Sequence, residues 1–255
     1  MSLYLASLNS GSNGNCYYVG NNDGAVLIDA GISCRETERR MARLGLSIGN
    51  VSAIFISHEH SDHVRGVEVL SRKHGIPVYM SPITYLKSQL RPDSSLLRTF
   101  ITQEPVHVGS LTVHPLPKQH DAADPHSYTV TSAGITAGIF TDIGRSCEQV
   151  AHHFGCCHAA FLEANYDETM LLEGSYPLYL KRRIHGDLGH LSNRQALEIF
   201  TGHRSPFLKL LLLSHLSAHN NRPEIVSGLF APQANGTQIA IASRYEESEL
   251  YCISG

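Results

Sequence analysis

Residues 58 to 63 read His-Glu-His-Ser-Asp-His, and this run constrains the chain more than any other feature. It follows directly on Val51-Ser52-Ala53-Ile54-Phe55-Ile56-Ser57, a short, β-branched, uncharged stretch that predicts a buried strand. A rigid strand delivers His58, His60, Asp62 and His63 into a loop where their side chains can turn toward one point. An exposed polar turn is the plain alternative, but so many donors in one short run exceed what a surface turn needs. Nitrogen and oxygen donors of this kind suit zinc, manganese or ferrous iron, and having more than one ion's share suggests two divalent metal ions.

The rest of the composition is consistent with a metal protein. The 255 residues are 42% apolar and 17% charged, enough for a sizeable core in one large or two small domains, and 16 of them are His. The six Cys show no CxxC spacing, no charged-then-apolar leader precedes Tyr4, and no apolar run approaches the ~20 residues of a membrane helix. A reduced, cytoplasmic protein with no membrane partner is the expectation. Cys156-Cys157-His158, with His152 and His153 upstream, could form a further metal cluster. A helix ending at Gly155 before a buried strand favours thiols that pack as small apolar groups instead. A net charge of -3 gives no global attraction to nucleic acid. The local exception is Lys181-Arg182-Arg183, with His185 and Arg194, which reads either as a solvated helix face or as a contact for a polyanion.

Strands and helices alternate along the chain with no linker, low-complexity segment or clear internal repeat. Strands are expected over residues 3–8, 16–19, 25–29, 51–57, 77–80, 111–115, 127–130, 135–141, 159–162, 208–213 and 238–242, and helices over 64–74, 148–154, 176–184 and 223–230. Pro82 opens another helix. Ser33-Cys34-Arg35-Glu36 and Ser192-Asn193-Arg194-Gln195 have the form of capping boxes, the second heading a helix to Thr201. Two sheets packed together with helices outside fit this mixture. His120, Asp142 and His215 each sit where an expected strand has ended. Singly such residues are more often structural; together they can converge on one sheet edge.

His-x-His-x-Asp-His after a strand, followed by an isolated His, an Asp and a His at strand ends, resembles the metallo-β-lactamase superfamily over essentially the whole chain. The resemblance implies an α+β fold, a four-layer αββα sandwich, as a single domain spanning 1–255. It further implies that His58, His60 and His120 hold one metal, that Asp62, His63 and His215 hold the other, and that Asp142 bridges them. The bridging Asp points toward binuclear hydrolases and away from antibiotic-cleaving members. Asn9-Ser10-Gly11-Ser12-Asn13-Gly14-Asn15, His120-Asp121-Ala122-Ala123-Asp124-Pro125, Gly189-His190-Leu191-Ser192-Asn193 and His215-Leu216-Ser217 are similar to the YycJ/WalJ-type branch, regarded as bacterial cytosolic DNA exonucleases. Tyr166 departs from that branch, which often has His there. The interval from Asp142 to His215 is too short for the inserted cap domain of the β-CASP nucleases.

Two divalent ions about 3.5 to 4 Å apart bridge a hydroxide and bring its pKa near neutrality, so that it can attack phosphorus or carbonyl carbon. Asp62 is expected both to ligate and to orient that nucleophile. A phosphodiester's leaving alkoxide needs a proton, and His190, beside the helix N-terminus at Ser192, is the expected donor; a loop-fixing structural His is the alternative. The expected function is therefore a nuclease acting on DNA. The alternatives are a small-molecule or cyclic phosphodiesterase, a thioester or lactone hydrolase of the glyoxalase II kind, and a metal-binding scaffold without turnover. The Gly11 to Asn15 loop is either a plain hairpin turn or a source of N–H groups for the site. Asp124 and His126 are expected to brace His120. Asp29 is expected in the core or behind the ligands; His74, His107, His114, His185, His203 and His219 are expected to be structural.

Overall fold

A computed structural model of the chain describes residues 2–255. The first sheet is built from β1 (Ser2–Asn9), β2 (Cys16–Gly20), β3 (Ala25–Ile28), β4 (Val51–Phe55), β5 (Val78–Met80) and β6 (Leu97–Thr99). The second contains β7 (Val106–Val108), β8 (Leu111–Pro117), β9 (His126–Ser132), β10 (Ile135–Phe140), β11 (Ala159–Glu163), β12 (Leu210–Ser214) and β13 (Gln238–Ile241). A last strand, β14 (Tyr251–Ser254), returns to pair with β1 in the first sheet. Strand order is β14-β1-β2-β3-β4-β5-β6 in one sheet and β13-β12-β11-β10-β9-β8-β7 in the other.

Both sheets change from antiparallel to parallel pairing halfway across, at β3–β4 in the first and β10–β11 in the second. A structural repeat thus exists where the sequence shows none. Parallel neighbours must be joined by crossovers, and their carboxyl ends open a crevice along one sheet edge. The expected ligands lie in the segments that follow β4, β8, β10 and β12, at that edge, with Asp62 and His63 on the short helix Ser61–Val64.

The facing sheets enclose one core, in which Tyr17, Phe55, Tyr128 and Phe161 are fully buried. A second core lies between the first sheet and helices α1 (Cys34–Arg43) and α3 (Val67–His74), with Met41, Val67 and Leu70 meeting Leu27 and Ile54. A short α2 (Ser61–Val64) precedes α3, and α4 (Pro82–Lys87) follows β5. On the second sheet lie α5 (Glu148–Phe154), α6 (Glu168–Glu173), α7 (Leu178–His185), α8 (Asn193–His203) and α9 (Pro223–Phe230). Phe154, Ile199, Phe200 and Phe230 close the third core there. Helices, two sheets and helices make the four layers.

Several elements depart from the sequence reading. The helix expected over 64–74 is two helices, separated at Gly66, which packs against the carbonyl of Ile32 too closely for any side chain. Ser192 and Gln195 form a full capping box, whereas at Ser33 only the serine caps; Glu36 turns to Arg39 and Arg40 instead. The β6, β7, β14 and α6 elements were not foreseen, the strands because they are short edge or near-edge pieces with weak alternation. Cys157 is buried as expected, but Cys156 is exposed and contributes nothing to the core.

Candidate metal centre

The loop after β4 is held by Asp29, which follows β3 in a left-handed backbone conformation at φ 61°. Its carboxylate accepts from Ser57 N and Ser57 Oγ at 2.7 Å each and from His63 Nδ1 at 2.7 Å. With Nδ1 engaged, His63 offers Nε2, which lies 3.5 Å from Asp62 Oδ2 and 3.4 Å from Asp142 Oδ2. This is the usual way a buried carboxylate fixes the tautomer of a ligating imidazole. Asp29 is therefore a bracing residue, as expected. Gly31 lets the loop approach, since a Cβ there would sit 1.6 Å from Asp62 O.

Asp142 and His215 also sit in left-handed conformations, at φ 55° and 56°, directly after β10 and β12. Such backbone is uncommon outside glycine and persists where surrounding bonds enforce it. Around His215 the N–H donates to Ser10 Oγ at 2.8 Å and the carbonyl accepts from Asn165 Nδ2 at 2.7 Å. Next to Asp142, Ile143 N donates to Glu163 Oε2 at 2.7 Å and Gly144 N to Gln119 O at 2.7 Å. Lys118, itself buried, donates from Nζ to Thr141 O at 2.7 Å.

The structure brings all seven expected ligands together. His58, His60 and His120 form one group of donor atoms, Asp62, His63 and His215 a second, and Asp142 joins His58 and His63 in a third, each group spanning less than 4.8 Å. His120 Nδ1 pairs with Gly189 O at 3.0 Å, leaving Nε2 toward the cluster. His120 Nε2, His215 Nε2 and Asp142 Oδ2 are buried and have no hydrogen-bond partner among the described residues. Three buried atoms without partners at one point, two imidazole nitrogens and a carboxylate oxygen, fit a bound cation. The charge balance agrees, because Asp62, Asp142 and Glu163 converge there, and Arg183 on the cavity wall is paired with Asp121 instead.

Electrostatics divide the cluster. Burial drives the imidazoles of His58 and His120 downward, His120 to about 4, so both are neutral and ready to ligate. Burial pushes His215 down too, but Asp142, Asp62 and Glu163 outweigh it and raise its pKa to about 10. His63 is raised in the same way by Asp142 and Asp29. Burial opposes ionisation of Asp62 and Asp142, yet the facing histidines hold both well below the usual carboxylate range.

Glu163, at the end of β11, was missed by the sequence reading. Its Oε1 accepts from His190 Nδ1 at 2.7 Å and His215 Nδ1 at 3.0 Å, and its Oε2 from Ile143 N and Leu191 N. Burial alone would raise its pKa, but the two histidines bring it to about 2. The only early signal was a charged residue ending the apolar run Ala159–Leu162. Asn15 was also missed as a site residue; its Nδ2 lies 3.2 Å from Asp62 Oδ2 and 3.1 Å from His63 Nε2. Within the loop Gly14 N donates to Gly11 O and Gly11 N to Asn15 Oδ1, while Asn15 N donates to Asp62 O at 2.7 Å, so the loop serves the site through both the backbone and the side chain of Asn15.

His190 lines the same cavity of about 220 Å³ as His60, Asp62, His120, Asp142 and His215, at its partly open mouth. Helix α7 supplies Leu180, Arg183 and Ile184 to the wall. Asp124 and His126 do not brace His120: His126 bonds Asp124 O and Thr102 Oγ1, while Gly189 O takes the bracing role. The basic stretch is largely self-paired, Arg183 with Asp121, Arg194 with Glu168 and Lys181 with Leu172 O. Tyr166 stands behind the cavity, fully buried, with its hydroxyl 3.0 Å from His185 Nδ1.

The geometry has counterparts among known proteins. A family model described as the metallo-beta-lactamase superfamily matches residues 10–136. Over 230 residues the chain is 34% identical to Exodeoxyribonuclease YycJ of Bacillus anthracis, covering 88% of this chain and 86% of that protein. The chain belongs to the metallo-β-lactamase superfamily. Within the superfamily it falls in the YycJ/WalJ branch, being also 33% identical over 223 residues to Exodeoxyribonuclease WalJ of Streptococcus pneumoniae, across 86% and 83% of the two chains. Among solved structures, the metallo-β-lactamase fold protein YhfI of Bacillus subtilis superposes with a TM-score of 0.75 at 16% identity, over 98% of this chain and 99% of that one. That likeness establishes the sandwich fold, and the curated relatives make the chain a metallo-β-lactamase-fold hydrolase. No helix among the described residues is long and apolar enough to cross a membrane.

Proposed function

We propose that the chain is a phosphodiester hydrolase dependent on two divalent metal ions, a nuclease that removes nucleotides from DNA in a cytoplasmic setting. His58, His60 and His120 would hold one ion, Asp62, His63 and His215 the other, with Asp142 shared. Zinc, manganese and iron all suit these donors. Bound ions would supply an acidified water and neutralise charge on the phosphoryl oxygens. The chain's own groups do the rest. Asp62, kept ionised and steadied by Asn15, orients the nucleophile and accepts its proton. His190 delivers a proton to the leaving alkoxide. The chain runs as one sandwich without a β-CASP insertion, leaving the mouth of the cavity open to a strand.

One observation carries this reading: Glu163 binds Nδ1 of His190 at 2.7 Å at the mouth of the ligand cluster. A carboxylate accepting from Nδ1–H orients the ring so that its imidazolium form can give the Nε2 proton to the leaving oxygen, an arrangement carbonyl chemistry with a good leaving group has little use for. The names of the curated relatives, both exodeoxyribonucleases, support DNA as substrate. The test is a metal-supplemented assay of bis-p-nitrophenyl phosphate, end-labelled DNA, labelled RNA and a thioester in parallel, with wild type and His190→Ala. Phosphodiester cleavage should fall about 10²-fold or more in the variant. Cleavage of the thioester alone, or an unchanged phosphodiester rate, would overturn the proposal.

A further inference from the structure

Beside the ligand cluster lies a second cavity, of about 310 Å³, that the chemistry above does not use. Ser217 lines both cavities, and Ser10, at the inner wall of the second, is the acceptor for the His215 N–H. The two spaces are therefore adjoining, one residue apart along the chain from a proposed metal ligand. Leu216, Pro223, Ile241 and Ala242 give the second cavity an apolar floor, and Arg244 and Tyr245 stand at its edge. No carboxylate lines it, in contrast to the ligand cluster and to the space behind α7, where Glu168 takes part.

Arg244 Nη1 is shielded from solvent and has no acceptor among the described residues. A buried guanidinium nitrogen without a partner is costly unless an anion completes it. The nearby Arg40 makes the contrast, since its nitrogens are spent on Leu8 O, Asn9 Oδ1, Tyr245 O and Glu36. Arg244 is presented rigidly, because its carbonyl accepts from Asn13 Nδ2 at 2.7 Å. Tyr245 is 78% exposed, yet its backbone is fixed at both ends, N to Ser243 Oγ at 3.1 Å and O to Arg40 Nη2 at 2.8 Å. The Arg244 guanidinium lies over one face of the Tyr245 ring, 6.0 Å from its centroid. An exposed ring paired with an unsatisfied guanidinium, beside an apolar floor, is the combination that takes a base by stacking and a phosphate by charge.

We propose that this cavity seats the single nucleotide next to the scissile bond, with Arg244 on its phosphate and Tyr245 against its base. The inference rests on the nuclease reading and adds the step size: a space of this volume accepts one nucleotide, so digestion proceeds one residue at a time. It also moves substrate capture from the largely self-paired basic stretch of α7 to the cavity beside Arg244.

Steady-state cleavage of end-labelled single-stranded DNA and of bis-p-nitrophenyl phosphate tests this with wild type, Arg244→Ala, Arg244→Lys and Tyr245→Ala. Arg98→Ala serves as a charge-loss control, since among the described residues that guanidinium bonds only the carbonyls of Ser95 and Leu97. Wild type should release mononucleotides. KM for DNA should rise about tenfold or more in Arg244→Ala and Tyr245→Ala, so that the ratio of DNA to bis-p-nitrophenyl phosphate turnover falls by the same factor. Arg244→Lys should recover part of the loss, and thermal melting of each variant separates binding from folding. Unchanged DNA kinetics in both alanine variants, an equal fall on both substrates, or fragments of mixed length from wild type would each overturn the inference. Wild type that hydrolyses the small phosphodiester but leaves DNA intact would instead overturn the nuclease reading itself.

Discussion

Replacing Glu163 by Gln preserves volume, removes one buried negative charge and reverses the sense of two hydrogen bonds. The carboxylate now accepts from two imidazole nitrogens through Oε1 and from two backbone N–H groups through Oε2. A glutamine has one acceptor face and one donor face, and the two backbone donors require the acceptor. Its amide N–H groups must then point at His190 Nδ1 and His215 Nδ1, which can accept only if each ring moves its proton to Nε2. For His215 that removes the lone pair proposed to bind the metal. Loss of such a bracing partner typically weakens metal affinity 10- to 100-fold, or about 1.4 to 2.7 kcal/mol. Competition of metal-loaded protein with a chromophoric chelator measures this directly, and melting temperature of the metal-free protein provides the control. Glu163→Ala should differ in kind, because it also strands Ile143 N and Leu191 N at about 1 to 3 kcal/mol for each buried donor. If Glu163→Gln bound both ions as tightly as wild type, Glu163 would not set the His215 tautomer, and the account of the site would fail at its centre.

Three further outcomes follow from the same geometry. An ion at the proposed Asp62, His63 and His215 site would have to displace protons from His215, whose pKa is raised to about 10, and from His63, which is raised in the same way, whereas His120 at about 4 is already neutral. Raising pH from 6 to 8 should therefore strengthen binding at the Asp62, His63 and His215 site with proton release; calorimetry showing metal binding without proton release at pH 6 would refute this. Gly31→Ala places a Cβ 1.6 Å from Asp62 O, so the loop after β4 must move. The cost should be at least ~1–3 kcal/mol, read as a lowered melting temperature with loss of metal, and a wild-type melt would exclude the close approach. Cys156 and Cys252 are exposed, while burial pushes the Cys16 and Cys157 thiols far up and that of Cys34 to about 11. A thiol-reactive dye should label the exposed pair in the native protein and Cys16 and Cys157 only after unfolding, because little thiolate exists at those buried positions at neutral pH.

The donor atoms were legible because they are local. His58, His60, Asp62 and His63 follow a strand whose composition announces it, and His120, Asp142 and His215 each stand where apolar runs end. The capping box at Ser192 was legible for the same reason, since both of its partners lie within four residues. Edge strands such as Leu97–Thr99 were not, because a three-residue strand has too few positions to show a period.

What supports the donors depended on the fold. Glu163 is one acidic residue at the end of a run, and nothing nearby signals that it serves His190 and His215, 27 and 52 positions away. The His120 brace was misassigned to Asp124 and His126 because sequence proximity favoured them, whereas the real acceptor, Gly189 O, arrives from a loop 69 positions on. The basic stretch at 181 to 194 looked available until Asp121 and Glu168 were found against it. Sequence by itself determined which elements could bind metal, since ligand chemistry belongs to side-chain type and short-range spacing. Tautomers, charge balance and the cavity beside Arg244 were decided only by tertiary structure, because hydrogen bonds and electrostatic fields act through space between segments the chain keeps far apart.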